Sequence, residues 1–210
     1  MKATLATRSN SRLVSDPPIA KFLFNSPKSA PIWLVLRLWI GLDWFYAGFE
    51  KMVGTGWLDG GKSLLGFWKG AVAVPTTGKS PITYTWYRDF LTGLIDAQSY
   101  SWFSWLIVLG EIAVGLGLIF GCLTAVAAFF GTLLNFSFMM AGSASSNPMM
   151  FGLTIFIILA WKNSGWWGLD RIVLPALGTP WKAGYLFNRS NSDSANGSNQ
   201  PRTPKEVPLS

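Results

Sequence analysis

The chain has 210 residues, with 17 Lys and Arg against 10 Asp and Glu, no His and a single Cys. Half of it is hydrophobic, only 13% is charged, and 12 Trp and 15 Phe add a heavy aromatic load; a soluble domain carries about twice that charged share, so the composition predicts a polytopic membrane protein. The missing side chains exclude a His-ligated haem, a His-containing zinc site, a His general base, a disulfide within the chain and a thiolate-held iron–sulfur cluster, and the net charge of +7 reads as juxtamembrane bias, not as a nucleic-acid footprint.

Residues 1–30 are polar and basic, with Lys2, Arg8, Arg12, Lys21 and Lys28 against Asp16. No apolar core follows the early charges, so this segment reads as a mobile cytoplasmic tail and not as a secretory signal. A membrane domain is expected over 31–182. Its first span is predicted at about Ile32–Phe49. The 52–100 loop holds two amphipathic stretches. In the first, Leu64, Leu65, Trp68, Ala71 and Val72 share a face opposite Lys62 and Lys69. In the second, Trp86, Tyr87, Phe90, Leu91, Leu94 and Ile95 oppose Arg88, Asp89 and Asp96. Such helices lie in a membrane interface or cap a bundle.

The second and third spans are predicted at about Trp102–Phe120 and Leu123–Met140. The fourth, about Pro148–Trp161, is short against the roughly 20 residues that cross a bilayer. Asn147-Pro148 marks its start, because Asn caps helices and Pro suits the first turn. The Ala141–Asn147 turn is small, polar and uncharged. It is either an outer hairpin or, if the fourth span starts below the surface, the lining of a cavity, since bare backbone in lipid is too costly. Residues 183–210 are Ser/Asn/Pro-rich and are expected to be a disordered cytoplasmic tail.

The expected fold is therefore all-α: a four-helix transmembrane bundle with two short interfacial helices in a long extracytoplasmic loop. The segments before the first span and after the fourth hold eleven Lys and Arg and the loop holds four, while the two short hairpins hold none. The positive-inside rule places both termini in the cytoplasm of a multi-pass cell-membrane protein.

Ionisable groups within spans each cost about 2.5–3.5 kcal/mol to insert and need a partner or a wet cavity. Arg37, Gly41, Trp44, Gly48 and Lys51 share one face of the first span; Asp43 and Glu50 share another. Gly41 and Gly48 admit close approach of a neighbouring helix. Glu111 lies in the second span, one turn before Gly115, while Gly110, Gly117 and Gly121 form a separate smooth stripe. Asn135 is the polar exception of the third span. Arg37 is the expected partner of Glu111, as a register pin or as part of a ligand site. Asp43 has no basic residue one turn away and must be neutral or face water. Glu50 and Lys51 are expected at the outer interface.

Arg37, Gly41, Gly48 and Lys51, then Glu111, Gly115 and Gly121, then the stretch from Asn135 to Pro148 and the Gly168-Leu169-Asp170-Arg171 run, together resemble the DoxX/DoxD-like family of small four-helix membrane proteins. The resemblance covers about residues 31–182. It implies a membrane partner of redox enzymes, the DoxD branch being the quinone-facing subunit of thiosulfate:quinone oxidoreductase beside a DoxA subunit. On that reading no cofactor is held within the chain and quinone is the substrate. Asp43 and Glu111 handle its protons and serve as the catalytic pair. Arg37 and Asn135 bind its carbonyls, and Lys51, Lys62 and Arg88 attract an anion at the outer face. The partners are the lipid bilayer and a soluble or membrane redox subunit, with a homo-oligomer left open. Two other classes compete: a non-catalytic assembly or scaffold protein docked through its glycine stripes, and a small-solute or proton-coupled transporter with Asp43 as the coupling group.

Overall fold

A computed structural model describes residues 16–179. The tail expectations for 1–15 and 183–210 lie outside these residues. Among the described residues there are helices and connecting turns and no strand. The helices are α1 (Pro18–Asn25), α2 (Ala30–Val53), α3 (Lys62–Val72), α4 (Thr85–Asp96), α5 (Tyr100–Phe120), α6 (Thr124–Met140), α7 (Asn147–Leu159) and α8 (Asp170–Leu177), with a 3-10 turn at Pro27–Ser29 before α2.

Four of these share one core. α2 packs on α5, α5 on α6, α6 on α7, and α7 on α2. Ile40, Trp44, Val114, Leu118, Ala128, Met150 and Ile157 meet at the centre. Two helical stretches are long and apolar enough to cross a membrane, Pro27–Val53 and Tyr100–Phe120, while α6 and α7 are apolar but shorter.

Glycine sets the closest approach. A Cβ on Gly48 would stand 2.9 Å from Ile112 N, and one on Gly41 would stand 3.0 Å from Ile119 N. Gly115 in turn faces the backbone of Phe45, with Phe45 N at 2.6 Å from its would-be Cβ. α2 and α5 therefore run antiparallel with their backbones nearly touching, as small residues permit. The other stripe behaves differently. Gly117 lies against Ala127, but a Cβ on Gly110 would meet only Leu134, at 3.8 Å.

At one end of these helices, α3 and α4 form a cap with their own core of Leu64, Trp68, Ala71, Ile82 and Leu91, closed by Ile107 and Ala141. Tyr87 donates a 2.9 Å hydrogen bond to Ser137 O, fastening α4 to α6. Burial pushes this phenol up, which keeps the donating proton in place.

The opposite end is locked by Arg37 and Asp170, both 1% exposed. Arg37 Nη2 donates to Trp167 O at 2.8 Å and Nη1 to Leu118 O at 3.3 Å. Asp170 accepts from Leu123 N at 2.6 Å and Thr124 N at 2.9 Å. It thereby caps α6 from 46 residues away, satisfying donors that a helix start leaves free. The two side chains also attract each other across this junction. Gly121, at φ +62°, turns the chain beneath Arg37, and a side chain there would collide with the guanidinium. Leu123 is held at φ +48°, a conformation that costs an L-residue about 1–2 kcal/mol and that the Asp170 bonds offset.

Two expectations need correction here. Arg37 does not pair with Glu111; its partners are Trp167, Leu118 and Asp170. The fold also begins before residue 31. Asn163 Nδ2 reaches Leu23 O (2.7 Å), Ser26 O (3.0 Å) and Ser29 Oγ (2.7 Å), tying α1 to the segment after α7.

Candidate functional site

Between the shared core and the cap lies a cavity of about 600 Å³. α2 contributes Asp43, Trp44, Tyr46, Glu50 and Lys51; α5 contributes Glu111; α6 contributes Asn135 and Phe138; the α6–α7 turn contributes Ser143, Ser145, Ser146 and Asn147. Trp57 and Phe67 close it from the cap side. The turn is thus the cavity-lining segment and not a plain outer hairpin. The cap position falls on Ser146, whose side chain makes no cap bond, and Asn147 is the first residue of α7. Its amide donates instead to Ser143 O at 3.2 Å, bracing the turn.

The charged centre is Lys51 Nζ, 2.7 Å from Glu111 Oε2. Glu111 is 1% exposed and the Lys51 side chain 21%. Lys51 also lies over the Trp57 ring, 5.4 Å from its centroid. Lys51, expected at the outer interface without a partner, is the cation that pairs with Glu111. The helix register explains it. Gly48 lies level with Ile112, so Lys51 is within a turn of Glu111, whereas Arg37 is level with about residue 123. That puts Arg37 roughly 18 Å along the axis from Glu111 at 1.5 Å per residue, beyond any guanidinium's reach.

Behind the pair sit two buried polar groups without partners. Asn135 is fully buried and neither its Oδ1 nor its Nδ2 makes a hydrogen bond. The Trp44 Nε1–H is likewise unpaired and buried. The two belong to one wall: a Cβ on Gly131, one turn before Asn135, would lie 3.1 Å from Trp44 Nε1. Both residues line the cavity; buried polar atoms are nearly always paired, so unpaired donors and an acceptor on lining residues are the pattern of a ligand site.

Asp43 lines the mouth. It is exposed and makes no hydrogen bond or ion pair among the described residues. Tyr46 and Glu50, its neighbours along α2, interact with each other. The remaining expected residues lie elsewhere. Lys62 is an exposed side chain at the start of α3, 3.7 Å from Asp59. Arg88 donates to Ser80 Oγ at 2.8 Å and Ile82 O at 2.9 Å, stapling the connector before α4. Lys51, Lys62 and Arg88 therefore form no common anion site; only Lys51 reaches the cavity. Arg37 does not line it either. Trp44 is a cavity residue not expected as a site residue, although its place on the Arg37–Lys51 face is a readable signal.

Cys122, the only thiol, lies in the α5–α6 turn and lines a separate apolar groove between those helices. Among the described residues no His, Cys, Asp and Glu cluster has metal-holding geometry. No family model, curated protein or solved structure matches the chain, which leaves this geometry as the ground for its function.

Proposed function

We propose that the chain is a four-helix integral membrane subunit of quinone-linked redox machinery, of the DoxX/DoxD-like kind, whose cavity takes a quinone head group. Membrane embedding is supported by the outer surface of the helices. Val35, Trp39 and Leu42 on α2, Leu106 and Leu109 on α5, Phe129 and Leu133 on α6 and Phe156 on α7 are all exposed. Soluble monomers rarely expose contiguous apolar surface on that scale. Both termini are cytoplasmic in this reading, and α3 and α4 lie at the outer interface.

The observation that carries the function is the joining of an ion pair, two unpaired buried polar side chains and aromatic walls in one cavity. Trp57, Phe67 and Phe138 offer flat surface to a planar ring. Asn135 and Trp44 donate to a ring oxygen. Glu111, held by Lys51, is positioned to relay a proton, and Asp43 at the mouth exchanges protons with water. Reducing a quinone takes two electrons and two protons. The electrons come from a partner subunit, DoxA-like with thiosulfate as the donor, and the protons pass through the two carboxylates.

Titrating the full chain in detergent micelles with a short-chain benzoquinone tests this reading. Wild type should bind it, and Ala47→Trp, which fills the cavity from α2, should lose binding while its melting temperature is kept. Equal binding by a folded Ala47→Trp variant would place the quinone elsewhere.

A further inference from the structure

Resting on the quinone reading, we infer that the buried wall of the cavity binds the hydroquinone in preference to the quinone. The reason is the balance of donors and acceptors at Asn135 and Trp44. The Asn135 amide carries one acceptor oxygen and two donor hydrogens whichever way it is turned, and the Trp44 indole is a donor only. All three heavy atoms are buried and unpaired.

A quinone oxygen accepts and cannot donate. It satisfies the indole N–H and the amide N–H, and leaves the Asn135 oxygen desolvated with nothing to accept. A hydroquinone hydroxyl accepts from either N–H and donates its own hydrogen to that oxygen. An unpaired buried acceptor weakens binding by roughly five- to a hundredfold, so the two redox forms should differ by about tenfold. Selective binding of the reduced form raises the midpoint potential of the bound couple, by about 30 mV for each tenfold. The site thus favours completion of the reduction.

The test is anaerobic titration of the full chain in micelles with a short-chain benzoquinone and, separately, with its hydroquinone. Wild type should bind the hydroquinone about tenfold more tightly. Asn135→Leu should bring the ratio to about one. Its melting temperature should not fall, because the change removes two unpaired buried atoms. Trp44→Phe removes a donor that both forms use, so both affinities should drop and the ratio should stay. A wild-type preference for the quinone, or none, overturns the inference and leaves the quinone reading intact. So does a ratio that survives in Asn135→Leu. If neither form binds, the quinone reading itself fails.

Discussion

Lys51→Met is the most informative single change at the ion pair, because it strands Glu111. Removing one partner of a fully buried pair costs about 3–5 kcal/mol. Lys51 is about one-fifth exposed, which puts the loss near the lower end, about 3 kcal/mol. For a chain of this length that corresponds to a melting temperature lowered by roughly 6–12 °C. Glu111→Met should cost less, about 1–2 kcal/mol, because the freed lysine keeps its place over Trp57 and its access to water. Lys51→Met with Glu111→Met should return to within about 1 kcal/mol of wild type, since no charge is then left desolvated. Thermal melts of the four proteins in one detergent complete the double-mutant cycle. A Lys51→Met protein as stable as wild type, or a double variant that loses the sum of the two singles, would refute a buried, mutually dependent pair.

The other expectations concern the mouth, the lock, the helix contact and the topology. Asp43→Asn should leave the melting temperature unchanged, because the side chain is exposed and unpaired, and should abolish quinone reduction in complex with the redox partner; retained turnover would remove Asp43 from proton handling. Asp170→Ala uncaps α6 and leaves Arg37 without its counter-charge, so a loss of about 3–5 kcal/mol is expected in the same melts, whereas a lost α6 cap alone would cost only about 1 kcal/mol. Gly48→Ala drives a methyl to within 3.0 Å of Glu111 Cβ and Ile112 and should cost about 1–3 kcal/mol, with Gly110→Ala as the near-neutral control. A reporter fused after Ser210 should read cytoplasmic and one inserted at Thr77 extracytoplasmic; reversal at both sites would overturn the assigned orientation.

Much of this was readable from residue pattern. Apolar runs placed α2, α5, α6 and α7 within a few residues of their observed ends. Amphipathic spacing placed α3 and α4, whose Leu64, Trp68 and Leu91 are buried as that spacing requires. The face shared by Gly41, Trp44, Gly48 and Lys51 is the one turned inward. Helical periodicity, however, fixes only the angle at which a side chain leaves its axis. It carries no information about how far one helix slides along another, so Arg37 and Lys51 were equally eligible partners for Glu111. The antiparallel glycine contacts set that slide and decide for Lys51.

Long-range bonds were hidden for a related reason. Asp170 bonds to Leu123 N and Thr124 N, and Asn163 bonds to Leu23 O, across separations that no local pattern encodes. The charges of Lys62 and Arg88 were visible but their partners were not. Asp59 sits in a turn and Ser80 in the connector before α4, and the geometry of such segments decides whether a cation faces water or is used up on the backbone.

Photolabelling with an azidobenzoquinone in native membranes tests the cavity most directly. Label is expected on peptides spanning 44–57 and 135–150, displaced by unlabelled benzoquinone and lost in Ala47→Trp. Displaceable label confined to the apolar α5–α6 groove, at Phe130 or Leu133, would contradict a quinone site beside Lys51 and Glu111.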